Sequence, residues 1–412
     1  MRVLDDLDFT RIVRAGDTVL WTPGVGEPLP LIERLLAQRH RIGPFTVLLA
    51  GAGYADVVRP EHADVIRFLA GGAVGSNRAL CDAGAADILT CHLSEMPHLI
   101  RSGILPVDVV LAQFSEDARG ALSHGAASGL VGTAIRAART VVAEINDQAP
   151  WTHSRQPVDA ACVDVAVRTS RALVEVPPRL PSATDERIAA HVVELIADRA
   201  TVQLGIGGVP NAVAALLGER RGLRLHSGVI GDAVVDLMRS GAVSETVTGA
   251  LVGTRRLFDF AHQEPRLRVD PVEHTHDHRT LSGLPGFTAV NSALEVDLTG
   301  QAGSEVAGAT YVGTIGGQVD FVRGALAAHD GRSIIALPSR TRSGRGRIVP
   351  VVASGIVTTG RADADVVVTE HGVAHLRGRP IADRVHRMIA IAHPDDRDEL
   401  SRQARERVAG YR

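Results

Sequence analysis

Residues 201–213 read TVQLGIGGVPNAV, and the order of residue types in this stretch decides the fold class. TVQL is β-rich, GIGGV is a glycine turn, and PNAVAALLGERR continues with helical composition, so a strand passes through a tight turn into a helix. Glycines at such a turn expose backbone N–H groups and admit an anion or a carbonyl oxygen. A plain tight turn would use the same residues. The spacing is not GxGxxG and no acidic residue follows at the distance a dinucleotide requires, so no nucleotide redox cofactor is expected.

Working outward, short apolar runs recur on both sides. TVLW (18–21), TVLLAG (46–51), DVVLAQ (108–113) and TVVAEI (140–145) precede the opening stretch. RLHSGVIG, VTGALVG, TAVNSALEVDL, RSIIALPS, GIVTTG and ADVVVTEHG follow it, each ending in glycine or a polar turn. Continuous apolar runs without polar alternation read as parallel strands covered on both faces by helices. Ligands of open α/β sheets bind at the carboxyl ends of such strands, where these turns cluster. VEVPPRLPSATDE (174–186) places three prolines within five residues ahead of a helix cap at Ser182 or Thr184, and marks the boundary between two domains, 1–178 and 179–412.

Composition narrows the chemistry. The chain has 412 residues, 45% hydrophobic and 22% charged, which is ordinary for a globular protein with two cores. All 44 basic residues counted with lysine are in fact arginine, so a Schiff-base lysine, a pyridoxal lysine and a Walker-type lysine are excluded. A formal charge of −3 lacks the basic footprint of a nucleic-acid binder. Cys81, Cys91 and Cys162 form no disulfide framework and no CxxC pair. The acidic N-terminus is unlike a signal peptide and no apolar run approaches the ~20 residues of a membrane span, so a cytoplasmic protein without membrane partners is expected.

A second glycine cluster, GTIGGQVDFVRGA (313–325), gathers Gly316, Gly317 and Gln318 before another apolar run, and paired backbone amides of this kind can form an oxyanion hole. His274, His276, Asp277 and His278 alternate in a stretch read as a loop, where imidazoles spaced in this way would not share a face, so no metal is expected. His226, His276 and His278 are instead candidates for general-base work near neutral pH.

The ordered series QLGIGGVPNAV, LHSGVIGDAVVDL, AVNSALEVDLTGQ, GGQVDFVRGA, SIIALPS, RIVP, DADVVVTEHGVAHLRG and IAIAHPD resembles the C-terminal half of the acetyl-CoA hydrolase and CoA-transferase family. GDTVLW, LSEMPHLIRSG, VDVVLAQFSED and VVAEINDQAP extend the resemblance over nearly the whole chain. It implies two open α/β domains of the CoA-transferase type, a homodimer, an active site between the domains, and a coenzyme A thioester as substrate. In that family a glutamate attacks the acyl-CoA and passes through an anhydride and a glutamyl-CoA thioester. By the same likeness Gly207 or Gly208 and Gly316 or Gly317 line the CoA and oxyanion region, and Asn291 and Glu370 match polar positions around the site.

The chain departs from the family where the nucleophile belongs. The family's HSEMISDG is written HSGVIGDA (226–233), with Gly228 in the glutamate's place. The family's paired asparagines become Gln263 and Glu264, and its Asn-X-Pro turn becomes His276 to His278. Glycine has no side chain to carry an acyl group. The leading expectation is therefore an enzyme that passes an acyl group from CoA, or a related pantetheine thioester, directly to water or a small acceptor. A transferase using a displaced carboxylate (Glu264, Glu370 or Asp232) and a non-catalytic acyl-CoA-binding protein are the alternatives. Asp232 also reads as the N-cap of the following helix. Arg78, Arg323 and Arg347 are candidates for gripping the CoA phosphates.

Overall fold

A computed structural model describes residues 3–408, and the chain divides into two compact units. The first comprises Met1–Pro177, Gly228–Asp232 and Thr246–Asp277; the second comprises Pro178–Ser227, Ala233–Glu245 and His278–Arg412.

In the first unit, strands β1 (Thr18–Trp21), β2 (Phe45–Leu49), β3 (Ile66–Ala70), β4 (Ala86–Ile88), β5 (Val109–Glu116), β6 (Leu122–Ser123), β7 (Thr140–Asn146) and β8 (Val165–Thr169) build one sheet. Its order is β4-β3-β2-β1-β5-β7-β8, with neighbours parallel and β6 antiparallel on β5. Adjacent side chains of one strand enter opposite cores. Val19, Leu49, Val109 and Leu111 pack with Leu31, Leu35 and Phe68 on one face. Leu20, Leu48, Val110 and Phe114 pack with Met96, Ile100 and Val131 on the other. Two buried faces account for the absence of polar alternation in these runs.

In the second unit, β9 (Thr201–Gln203) pairs in parallel with the first residues of β10 (Leu223–Ile230) on one side and with the strand Thr288–Asn291 on the other. The strands Arg332–Ala336 and Val366–Thr369 extend this sheet in parallel, and Gly372–His375 closes it antiparallel. The expected helix after the proline stretch spans Ala183–Glu194. Ser182 Oγ accepts from Asp185 N while the Asp185 carboxylate accepts from Ser182 N, a reciprocal capping box. GIVTTG is not a strand: among its residues Thr359 makes an isolated bridge to Ala302, while Ile356 and Val357 stay exposed. These residues have apolar character but no sheet face to bury. Among the described residues no helix is long and apolar enough to cross a membrane.

Two buried titratable groups of the first unit, Glu27 and His124, are pushed far from their ordinary values. Burial pushes the Glu27 carboxyl up to about 7, against the opposing bonds from Tyr54 N, Ala55 N and the Trp21 side chain. Burial pushes His124 down to about 4, although its Nε2 donates to Gln156 O at 3.1 Å. A raised carboxyl stabilises the fold below its ordinary value near 4.5, and that contribution is lost as pH rises through 7. A depressed histidine stabilises above 6.5, and that contribution is lost as pH falls through 4. Each is worth about 3 kcal/mol and the two oppose one another between about pH 4.5 and 6.5. Relative to the wild type, Glu27→Gln should lose stability progressively on acidification across this window. His124→Gln should gain it. Urea unfolding at a series of pH values checks both, and pH-independent differences would contradict the assignment.

Candidate functional site

One cavity in each unit gathers residues expected at the site from the sequence. In the second unit the turn after β9 opens a cavity of about 420 Å³, lined by Gly205, Gly207, Gly208, Asn291, Ser292 and Pro338 together with Arg179, Arg340, Arg342 and Arg347. Gly207, at φ 127°, caps the helix Gly208–Leu217, whose unpaired N–H groups give this end of the cavity positive character. Gly208 has a packing reason as well. A Cβ there would stand 2.5 Å from Asp185 Oδ2, the carboxylate committed to the capping box.

The arginine loop is anchored from behind. Glu370 accepts from Ser339 N at 2.9 Å and from Ser339 Oγ at 2.7 Å, and Arg340 is clasped by Asp395 and Asp396. Burial works against ionisation of Glu370, but the Ser339 bonds outweigh it and hold the carboxyl below its ordinary value. Glu370 therefore fixes the loop, and it is not among the residues lining the cavity. Burial, then the neighbouring Arg345 and Arg179, push the Arg347 guanidinium down, and Arg347 Nε and Asn291 Nδ2 are buried with no hydrogen-bond partner among the described residues. Two unsatisfied donors beside further cations suit an anionic, oxygen-rich ligand.

In the first unit a cavity of about 190 Å³ is lined by Leu20, Trp21, Pro23, Tyr54, Leu93, Leu130, Val229, Val252, Val272 and His276, and by the backbones of Gly24, Gly51, Gly129, Gly228 and Gly249 with Ala50, Ala52 and Ala250. Among the described residues, no carboxylate or guanidinium lines it. Gly228 O lies 2.9 Å from where a Cβ on Gly249 would stand, so the two backbones leave no room for a side chain at 249. The wall is fixed by Glu27, which accepts from Tyr54 N at 3.1 Å and bonds the Trp21 side chain. His276 is buried on this cavity. Its Nδ1 lies 2.8 Å from Thr275 Oγ1, whose hydroxyl also reaches Pro271 O at 3.3 Å.

The site residues expected from the sequence thus separate. Gly207, Gly208, Asn291 and Arg347 meet at the arginine-lined cavity, and Gly228 and His276 meet at the apolar one. His226 is buried against the Phe287 ring and lines neither. Gly316 and Gly317 precede the helix Gln318–Ala327, with Gln318 Nε2 donating to Thr359 Oγ1, away from both linings. Arg78 and Arg323 are exposed and paired with Asp82 and Asp363.

None of the three candidate carboxylates lines the apolar cavity. Both oxygens of Asp232 accept from Thr254, so it anchors that segment instead of serving only the helix after it. Glu264 is bidentate on Arg266, and Gln263 turns the chain at φ 57°. His274 approaches Asp270 at 3.7 Å, while His278 opens a helix of the second unit. Sequence reasoning missed Arg179, Arg340 and Arg342. It also missed most of the apolar lining, whose glycines and alanines carry no chemical signal of their own.

The model of the acetyl-CoA hydrolase/transferase N-terminal domain matches residues 2–173, and that of the C-terminal domain matches residues 253–404. The 4-hydroxybutyrate coenzyme A transferase of Clostridium kluyveri is 34% identical, over 94% of this chain and 94% of that protein. The succinyl-CoA:cyclohexane-1-carboxylate CoA transferase of Geobacter metallireducens is 34% identical, over 98% and 95%. Among solved structures, RipA from Yersinia pestis superposes with a TM-score of 0.90 at 29% identity, covering 97% of this chain and 95% of that one. A 4-hydroxybutyrate CoA-transferase from Porphyromonas gingivalis gives 0.83 at 29% identity, covering 98% and 97%.

The contact between Gly208 and the capping box predicts that Gly208→Ala lowers stability by about 1–3 kcal/mol, the usual cost of overpacking. The loss should largely vanish when Asp185 is first truncated to alanine, because the obstructing carboxylate is then gone. Thermal melts of the four proteins in the cycle measure this, and additive losses would contradict the contact.

Proposed function

Because this chain belongs to the acetyl-CoA hydrolase/transferase family, we propose that it is an acyl-CoA-dependent enzyme that passes the acyl group directly from the thioester to water or a small amine or alcohol, without an acyl-enzyme. The observation that carries this reading is the apolar cavity of the first unit. Gly228 lines it where the resemblance places the family's nucleophile, and among the described residues no carboxylate lines it. A covalent glutamyl route needs a carboxylate at the reacting carbon, and a displacement of about 1 Å can already cost 100-fold in rate.

His276 is the base in this scheme. Its imidazole takes the proton of the attacking O–H or N–H as the new bond to the carbonyl carbon forms, and returns a proton to the departing CoA sulfur as the thioester bond breaks. In the second unit, Arg179, Arg342 and Arg347 and the N-terminus of the helix Gly208–Leu217 form a cationic cradle suited to phosphate groups of the CoA moiety. The unpaired donors of Arg347 and Asn291 support that role. No step in this scheme calls on a metal or a redox cofactor.

The purified protein, given a panel of acyl-CoAs with and without acetate, succinate and simple amines, should release free thiol without exchanging CoA onto the carboxylates. His276→Gln should lower the rate by about 100-fold or more. Exchange onto acetate or succinate would reject direct transfer, and the absence of both CoA binding and thiol release would reject the function.

A further inference from the structure

The apolar cavity carries information on the acyl group itself. Resting on the reading of this cavity as the acyl seat, we propose that the enzyme selects an uncharged, compact apolar acyl group of about six or seven carbons, cyclic or branched, and rejects dicarboxylic acyl groups.

Size comes first. A closed apolar cavity of about 150 Å³ accommodates benzene. The cavity here holds about 190 Å³, enough for a six- or seven-carbon group and well beyond what acetyl fills. Polarity comes second. The aliphatic lining is supplied by Leu20, Leu93, Leu130, Val229, Val252 and Val272. Its polar side chains are Trp21, Tyr54 and His276, of which Trp21 bonds Glu27 and His276 has its Nδ1 at Thr275 Oγ1. The lining holds no guanidinium to pair the distal carboxylate of a succinyl-type group, and an unpaired carboxylate is strongly disfavoured in such surroundings.

Rigidity comes third. Much of the remaining wall is backbone, contributed by five glycines, and Gly51 and Gly129 both abut Pro23. The segment bearing Tyr54 is tied to buried Glu27 through Tyr54 N and Ala55 N. A wall of this kind cannot fold inward to grip a short chain, so small acyl groups leave it unfilled. Glycine at 228 also keeps a charge out of the chamber.

The test is binding of non-cleavable ketone thioethers of CoA carrying acetyl-, butyryl-, hexanoyl-, cyclohexanecarbonyl-, decanoyl- and succinyl-sized groups, beside CoA itself, measured by calorimetry on the full chain. Affinity should rise about fourfold per added methylene up to six or seven carbons and then stop rising. The succinyl-sized compound should bind no more tightly than CoA. In Ala250→Leu, the optimum should move to shorter groups. If CoA binds but affinity is flat with chain length, or favours the succinyl-sized compound, or keeps its optimum in Ala250→Leu, the size and charge selection is wrong while the acyl-CoA function stands. If CoA and all its thioethers fail to bind, the function falls and this inference with it.

Discussion

The bond between buried Glu27 and the backbone of residues 54 and 55 is the constraint on which the first unit's cavity depends. Glu27 lies in the segment after β1, and through Tyr54 N, Ala55 N and the Trp21 side chain it binds that segment to the one after β2. Its own carbonyl accepts from Arg171 at 2.6 Å and from Gln113 at 3.3 Å. Arg171 in turn grips buried Glu144 through two guanidinium nitrogens. Strands β5 and β7, through Gln113 and Glu144, thereby hold in place the loop that shapes the cavity. A network of this kind stabilises only when its members are satisfied together, so losing one partner strands the others in a dry interior.

That network also bears on charge. A carboxyl pushed up to about 7 is largely protonated below neutrality, so the structure behind the Trp21 and Tyr54 wall does not impose a full negative charge on the chamber there. In the second unit the electrostatic arrangement is the opposite. Arginines crowd one cavity until burial and mutual repulsion push Arg347 down, an arrangement that an incoming anion relieves. The two cavities therefore suit different chemical groups, one anionic and one apolar, without any residue being common to both.

Much of the fold was legible because buried parallel strands announce themselves: TVLW became β1 residue for residue, and the proline stretch ended at the Ser182 cap. GIVTTG misled because β-rich composition alone cannot tell whether a sheet edge is at hand. The site was less legible. Gly228 stood out only through resemblance to a family, and His276 was one of several histidines with general-base chemistry, with nothing in the sequence to place it on a cavity. Of three arginines proposed for phosphate, only Arg347 reaches a cavity, because sequence proximity to a glycine turn says nothing about which way a side chain is drawn by Asp82 or Asp363. The lining of the apolar chamber comes from segments far apart in sequence, brought together by folding alone.

The central claim is that chemistry proceeds at Gly228 without a carboxylate of the enzyme becoming acylated. The most direct measurement is the intact-protein mass after borohydride treatment during turnover of an acyl-CoA, with free thiol followed in the same sample. The account predicts that thiol is released while every carboxyl of the chain remains unreduced. One carboxyl converted to an alcohol, the mark of a glutamyl or aspartyl thioester, would contradict it.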